Sequence, residues 1–241
     1  MAYFPMFIDL SGRRCLLVGG GSVAGRKIDT LLAYGASVRV ISREVSSRIA
    51  ALASGQGPDG QPPGCGQGKQ AGDSREQAAL SIRLCEPDAD ILLEEIRGSA
   101  LVVAASGDRR INHETAQICR RLGIPVNVVD APAESTFLFP AVVKRGDISI
   151  GINTGGDSPL VSKRIRQEIE KYIPDYYAEI ARQLGQIRTG IKERIPDESL
   201  RRRFLSGLSG AAFSLERPLT EEEIGEIEKR LGIADALRNQ P

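Results

Sequence analysis

A short apolar segment at residues 15–18 leads directly into a glycine-rich turn, Gly19-Gly20-Gly21-Ser22-Val23-Ala24, and a helical pattern follows it. The spacing Gly19-x-Gly21-x-x-Ala24 predicts a buried strand, a tight turn and a helix. Glycine at 19 permits the turn, glycine at 21 lets the backbone approach a phosphate, and a small residue at 24 lets the helix pack on the strand. We therefore predict that a dinucleotide pyrophosphate binds at the start of this helix, where free N–H groups and a partial positive charge point outward. A glycine-rich turn without a ligand is the alternative.

Short apolar segments rich in β-branched residues alternate with helical patterns over the first 130 or so residues. We predict strands at residues 15–18, 38–41, 81–85, 101–105 and 126–129, with helices at residues 24–34 and 111–122, the second ending at Gly123. This alternation is typical of a parallel sheet with helices on both faces. The predicted fold class is α/β, with a Rossmann-type NAD-binding domain over residues 1–140.

Residues 54–75 interrupt this rhythm, because they are rich in Gly, Gln and Pro and contain almost no large apolar side chains. Such a segment cannot bury enough surface to offset the entropy of ordering it. We predict a mobile surface insert in the first domain.

The pattern changes after about residue 135. We predict strands at residues 137–139 and 148–152, joined by a turn at residues 144–147, and then a helix that begins at Ser158-Pro159. Apolar residues at helical spacing follow, and a last helix begins at Thr220, with Glu223 completing a capping box. These patterns predict a small mixed segment at residues 141–172, assigned to dimerisation below, and a helical C-terminal domain at residues 173–241.

The composition limits the classes of partner. The formal net charge is +1 and aromatic residues make up 5% of the chain, so no nucleic-acid or membrane partner is expected. The four cysteines are scattered and His113 is the only histidine, so we expect no metal site and interpret His113 as a surface helix residue. Reduced thiols, a start without a basic targeting region and the absence of a long apolar segment predict a cytoplasmic protein.

Ligands of open α/β sheets bind beyond the carboxyl ends of the strands. The second predicted strand ends in Ser42-Arg43-Glu44, where an acidic residue for the ribose is expected; Arg43 could instead bind a 2′-phosphate and favour NADP. Small residues follow the fourth strand, and Asp130 follows the fifth, either as a functional carboxylate or as a turn residue. The predicted cofactor-binding residues are Gly19, Gly20, Gly21, Ser22, Val23, Ala24, Ser42, Arg43, Glu44, Ala105 and Ser106.

Several blocks of sequence, in order over roughly residues 3–190, resemble the dehydrogenase domain of sirohaem synthases, the precorrin-2 dehydrogenase family. These blocks are residues 4–10, 18–27, 104–108 with Asn112, 127–132, 135–140 and 154–159. The resemblance implies oxidation of precorrin-2 to sirohydrochlorin with NAD as the acceptor, and Asp130 as the acid–base group. It also implies a homodimer that exchanges the segment after the Rossmann domain.

A tetrapyrrole polycarboxylate requires cations and helix N-termini in its site. The predicted substrate-binding residues are Asn127, Thr154, Gly155, Gly156, Ser158, Lys163 and Arg164, with Lys144, Arg145 and Arg166 nearby; a solvated helix face is the alternative for the cations. Thr154 stands where bacterial relatives have a phosphorylatable serine, so phosphorylation here is left open.

Two other functions remain open at this point. Some members of the family also insert ferrous iron into sirohydrochlorin, in the same cleft. A dinucleotide-sensing module without chemistry would share the glycine turn but would have no need of the 127–132 block.

Overall fold

The computed structural model describes residues 3–55 and 79–233. The chain divides into two compact units, Met1–Phe139 and Pro140–Pro241. Most of the predicted insert at residues 54–75 lies outside the described residues, as does Cys65.

The first unit is a five-stranded parallel sheet flanked by helices, which confirms the predicted α/β fold. Its strand order is β3-β2-β1-β4-β5, so the chain runs outward from β1 in one direction and then in the other. The elements are β1 (Arg14–Val18), α1 (Ser22–Ala33), β2 (Ser37–Ser42), α2 (Ser47–Ala53), β3 (Leu80–Leu84), α3 (Ala89–Ile96), β4 (Leu101–Ala104), α4 (Arg109–Leu122) and β5 (Val126–Val128).

Successive residues of the central strands pack into two different cores, because side chains alternate across a strand. Cys15 and Leu17 of β1 belong to the core that contains Ile28 of α1. Leu16 and Val18 belong to the core on the other face, with residues of α3 and α4. The sheet is therefore buried on both faces, which explains why its central strands are almost wholly apolar.

A buried carboxylate on α3 joins this helix to three strands of the sheet. The Glu95 side chain lies within 3.1 Å of Arg39 on β2 and 3.0 Å of Arg83 on β3, and Arg14 on β1 is 3.8 Å away. Burial alone would raise the pKa of Glu95, but hydrogen bonds from Arg39 and Arg83 bring it below its ordinary value. Arg14 also donates to the Arg97 carbonyl oxygen at 2.9 Å, so one cluster ties three strands to one helix.

The ends of α4 follow from its sequence. Asp108 accepts a hydrogen bond from the Arg110 N–H at 2.8 Å and caps the first turn. Gly123 ends the helix in the left-handed region, with φ of 69°, which confirms the stop predicted there.

The second unit combines a hairpin with four helices. Its elements are β6 (Ala141–Arg145), β7 (Ile148–Ile152), α5 (Pro159–Tyr172), α6 (Tyr176–Arg194), α7 (Glu198–Leu215) and α8 (Glu221–Arg230). Ile180, Phe204 and Leu208 are fully buried in the core of the helices. The capping box of α8 is present, since Thr220 N donates to Glu223 at 2.7 Å and Glu223 N donates to the Thr220 hydroxyl at 3.3 Å.

The prediction of a strand at residues 137–139 is wrong. The hairpin starts at Ala141 instead, directly after Pro140, and its first strand continues to Arg145, so that the turn is tighter than predicted. The rings of Phe137 and Phe139 lie 5.3 Å apart and pack against the core of the first unit. Their apolar character thus reflects packing of a loop on that core, since the two residues belong to no strand.

Within the described ranges, no helix has both the length and the apolar character needed to cross a membrane.

Candidate functional site

The carboxyl ends of the strands meet at one edge of the sheet. Backbone hydrogen bonds continue past the assigned strand ends, from Gly19 N to Ile41 O at 2.8 Å and from Ala105 N to Val18 O at 2.8 Å. A cavity of about 480 Å³ opens at this edge. It is lined by Gly19, Gly20, Gly21, Ser42, Glu44, Val45, Ser46, Ala105, Ser106 and Gly107.

Two of the three glycines are required by the protein itself. Gly19 has φ of 117°, and a Cβ there would collide with the Ala105 carbonyl group and lie 2.8 Å from Ser106 N. A Cβ on Gly20 would collide with the Glu44 carbonyl oxygen and lie 2.8 Å from the Val45 Cα. The turn therefore closes tightly onto the loops that follow β4 and β2.

Gly21 differs, because a Cβ at this position would meet nothing within 4 Å. Its φ of −79° suits any residue, so neither packing nor backbone strain requires a glycine. A side chain here would instead extend into open space beside the cavity. The absence of a side chain leaves the backbone accessible to a ligand.

The first turn of α1 is suited to an anion. Gly21 is its N-cap and provides no side-chain cap, and the turn contains no acidic residue. The first N–H groups of a helix have no partner within the helix, and its dipole is positive at this end. The bare Gly21 face, the cavity and the uncapped helix together fit a dinucleotide pyrophosphate.

Most of the predicted cofactor residues gather at this cavity, with clear exceptions. Gly19, Gly20, Gly21, Ser42, Glu44, Ala105 and Ser106 line it. Ser22 and Val23 begin α1, and Ala24, the next residue of the helix, is buried. Arg43 does not line the cavity, and its guanidinium lies 2.6 Å from the Glu86 carboxylate.

Gly107, which also lines the cavity, is one of the small residues expected after the fourth strand, whereas sequence patterns did not predict Val45 or Ser46 as lining residues. Ser46 N donates to the Gly20 carbonyl oxygen at 2.9 Å, which brings the loop after β2 against the glycine turn. This contact joins two loops that are far apart in sequence, and no local sequence pattern predicts it.

A buried amide holds one wall of the cavity. Asn112, on α4, is 7% exposed; its Oδ1 accepts from Ser106 N and its Nδ2 donates to Ser106 O, both at 2.9 Å. The side chain thus pairs with the backbone N–H and the backbone carbonyl of Ser106, as a neighbouring strand would. In the sequence, Asn112 belonged to the block that resembles sirohaem synthases, together with residues 104–108.

Asp130 lies on the same edge of the sheet, in the loop after β5. It is exposed and has φ of 59°, a left-handed conformation that is uncommon for residues other than glycine. It does not line the cavity. Strand β4 lies between β5 and β1, so the strand before this loop is two strand spacings, about 10 Å, from the strand before the glycine turn.

Side chains on both sides fix the Asp130 loop. The buried Ser135 hydroxyl accepts from Val128 N at 2.8 Å and lies 3.2 Å from the Ala131 carbonyl oxygen. On α4, His113 lies 2.7 Å from Glu134, and Arg120 donates to the Ala133 carbonyl oxygen at 3.0 Å. The loop that carries Asp130 is therefore held in one conformation by contacts before and after it.

Lys27, on α1, is a titratable group that the sequence did not single out. Its ammonium lies 3.8 Å from the centre of the Phe139 ring. Burial, assisted by the nearby charge of Arg26, lowers the pKa of Lys27 to about 8. This amine can therefore exchange a proton close to neutral pH.

The predicted substrate residues fall into two groups, one in each unit. In the second unit, Thr154 lies 2.9 Å from the Ser162 hydroxyl, and Ser158 caps α5 by accepting from Val161 N at 3.3 Å. Gly155 and Gly156 form the turn between them, with φ of 71° and 93°.

Lys163 and Arg164 lie exposed on α5, just after this turn, and Arg164 pairs with Glu168 at 2.8 Å. Arg145 and Arg166 are also engaged, with Asp175 at 3.1 Å and Glu170 at 2.8 Å.

Asn127 lies in the first unit. It is buried in β5, and its side-chain amide donates to the Phe137 carbonyl oxygen at 3.1 Å. One donor of its side-chain amide therefore supports the segment after Asp130.

Among residues 3–55 and 79–233, no three His, Cys, Asp or Glu side chains are grouped so that they could hold a metal ion.

Two family models match the chain. Residues 6–141, more than half of it, match a family described as NAD(P)-binding. Residues 145–172 match the central segment of sirohaem biosynthesis proteins.

The chain is also similar in sequence to individual siroheme synthases. The chain is 35% identical over 221 residues to the siroheme synthase of Thioalkalivibrio sulfidiphilus, with 92% of this chain and 39% of that protein covered. It is 34% identical over 231 residues to the siroheme synthase of Methylococcus capsulatus, with 92% and 43% covered. The chain thus spans about two fifths of the length of these relatives.

Among solved structures, the chain is similar to "SirC, precorrin-2 dehydrogenase", with a TM-score of 0.64 and 21% identity. The likeness covers 95% of this chain and 98% of that one. It confirms the fold that the sequence predicted.

Proposed function

This chain belongs to the NAD(P)-binding family and takes a nicotinamide dinucleotide as its cofactor; from that premise we propose that it oxidises precorrin-2 to sirohydrochlorin. The observation that carries the proposal is the open Gly21 face on the cavity, in a chain that matches siroheme synthases along 92% of its length. The resemblance to the sirohaem synthase family is itself confirmed.

The oxidation removes a hydride and a proton from the substrate. A bound nicotinamide dinucleotide supplies the hydride acceptor. Asp130 accepts the proton on its carboxylate and later releases it to water, so that the electrons and protons balance. The exposure of Asp130 at the sheet edge supports this role, because an exposed carboxylate can exchange its proton with solvent.

We further propose NAD as the preferred dinucleotide. Glu44 lines the cavity at the end of β2, where an acidic residue binds the ribose hydroxyls of NAD. The nearby cation that would suit a 2′-phosphate, Arg43, is engaged by Glu86.

In the second unit, the Thr154–Ser158 turn, with Lys163 and Arg164 beyond it, is proposed to bind substrate carboxylates. The working form is proposed to be a cytoplasmic homodimer joined through residues 141–172. The exposed position of Lys163 and Arg164 on α5 supports the carboxylate role, since their charged groups face solvent.

A second candidate activity is iron insertion into sirohydrochlorin, favoured by the name siroheme synthase that the relatives bear. It can be tested separately, with ferrous iron and sirohydrochlorin in the absence of NAD. A dinucleotide sensor without chemistry is the third candidate.

The deciding experiment incubates the protein with precorrin-2 and NAD and follows NADH and the sirohydrochlorin spectrum. We expect turnover in the native protein and a loss of about 100-fold or more in kcat for Asp130→Asn, because proton transfer to a side chain typically contributes that much. The dissociation constant for NAD should be unchanged in this variant.

The matched control is Asp90→Asn, an exposed carboxylate on α3, which should retain native turnover. If Asp130→Asn retains the native kcat, Asp130 is not the group that accepts the proton. NAD binding without any turnover in the native protein would favour the sensor.

A further inference from the structure

The last residue of β2 and the two residues after it differ in whether they line the cavity. Ser42 and Glu44 line the cavity, whereas Arg43 between them does not. The Arg43 guanidinium instead lies 2.6 Å from the Glu86 carboxylate. The charge of Arg43 is therefore paired with a carboxylate, Glu86, that does not line the cavity.

This rim is where dinucleotide enzymes distinguish NAD from NADP. In Rossmann domains the end of the second strand, about 20 residues after the glycine turn, meets the adenosine ribose. An acidic residue there binds the 2′-hydroxyl of NAD, and a nearby arginine accommodates the 2′-phosphate of NADP. Ser42, Arg43 and Glu44 occupy that stretch in this chain.

The backbone places Glu86 beside Arg43. Strand β3 pairs with β2 in parallel, with Leu84 opposite Ser42, and Cys85 N donates to the Ser42 carbonyl oxygen at 2.9 Å. Glu86 is the next residue, so its side chain leaves the sheet edge next to Arg43. The ion pair is thus a product of strand register.

We propose that Glu86 is a specificity-determining residue that directs the site toward NAD by engaging Arg43, an inference that rests on the proposed dinucleotide site. With Glu86 ionised, the charge of Arg43 is balanced, and Glu44 leaves the cavity wall negative. A 2′-phosphate then meets repulsion without a free guanidinium to offset it. Neutralising Glu86 releases Arg43 to form charge-assisted hydrogen bonds with that phosphate.

The expected effect is modest. The side chains of Arg43 and Glu86 are 59% and 65% exposed, and exposed ion pairs are weak and screened by salt. We expect Glu86→Gln to tighten NADP binding about two- to fivefold at low ionic strength. The affinity for NAD should be unchanged within a factor of about two, because a 2′-hydroxyl carries no charge for Arg43 to bind.

The test measures the dissociation constants of NAD and NADP by titration calorimetry, without substrate, so that it does not depend on catalysis. The matched control is Glu94→Gln, which removes another exposed carboxylate paired with an arginine, Arg83 at 3.1 Å, away from the cavity. The control should change neither constant. Arg43→Ala combined with Glu86→Gln should lose the gain for NADP, and 0.5 M salt should reduce it.

Unchanged NADP affinity in Glu86→Gln, with native NAD binding, would overturn this inference and leave the proposed function intact. A gain that survives in the double variant would also overturn it, since Arg43 would not be the group released. Failure of the native protein to bind either dinucleotide would overturn the proposed function and this inference together.

Discussion

At the scale of single residues, the three glycines of the turn have separate physical causes. Gly19 and Gly20 are required by contacts within the protein, with the Ala105 and Glu44 carbonyl groups respectively. Gly21 has open space where its side chain would be, so its bare backbone matters only to a molecule that approaches from outside. Stability and ligand binding should therefore separate when these positions are changed.

Gly21→Val should fold normally and bind NAD at least tenfold more weakly, because its side chain would occupy the space that a pyrophosphate needs. The free energy of unfolding should fall by no more than about 1 kcal/mol, because Gly21 is the N-cap of α1 and valine is a poorer N-cap than glycine. Denaturant unfolding and calorimetric titration with NAD measure the two effects.

Gly20→Ala is the comparison, since its Cβ would collide with the backbone of the loop after β2. It should lower the free energy of unfolding by about 1–3 kcal/mol. Native NAD affinity in Gly21→Val would show that no ligand approaches this backbone.

At the scale of elements, α3 is joined to the sheet by charge as well as by apolar packing. Three arginines from three neighbouring strands surround Glu95, whose side chain is 6% exposed. Local patterns predict a strand or a helix but not this cluster, because its members are up to 81 residues apart.

Glu95→Gln should lower the free energy of unfolding at pH 7 by about 1 kcal/mol, since the partly exposed arginines are screened by solvent. The pKa of Glu95 in the folded protein lies below its ordinary value of 4.5, so the ionised carboxylate stabilises the fold. That contribution is complete above the ordinary pKa and is lost as the pH falls through the folded value. The difference from the native protein should therefore shrink below about pH 4.5.

Urea unfolding of both proteins between pH 3 and pH 7 measures the change. Glu94→Gln serves as the control, because Glu94 is 67% exposed and forms an ion pair with the same Arg83. A difference that stays constant with pH would mean that Glu95 acts through packing rather than charge.

At the scale of the whole molecule, one helix face in the second unit is unusually apolar for a surface. Val161, Ile165 and Tyr172 of α5 are 49%, 38% and 74% exposed and recur at helical spacing. A stripe of this kind is typical of a surface that another protein covers. We expect a second copy of the chain to cover it, in the proposed homodimer.

Tyr172→Glu should raise the dissociation constant of the homodimer at least tenfold, because a carboxylate would be transferred from water into an apolar contact. Sedimentation equilibrium measures the change. Leu215→Glu is the control, since Leu215 is 47% exposed on α7, outside residues 141–172, and should leave the dimer intact. A native protein that sediments as a monomer would refute the proposed assembly.

Local sequence patterns are enough to predict the alternation of strands and helices, the glycine turn and several helix ends. Gly123, Ser158 and Thr220 mark helix boundaries in the structure where the sequence predicted them. These features depend on side-chain periodicity and on capping by residues three or four positions away, so the information is local.

The contacts made by the loops, by contrast, depend on the tertiary structure. It placed Arg43 against Glu86, paired Asn112 with Ser106, and packed Phe137 and Phe139 on a core instead of in a strand. Each of these outcomes depends on which strands are neighbours and how far each strand extends. Those distances are set by the packed sheet as a whole, and no short stretch of sequence encodes them.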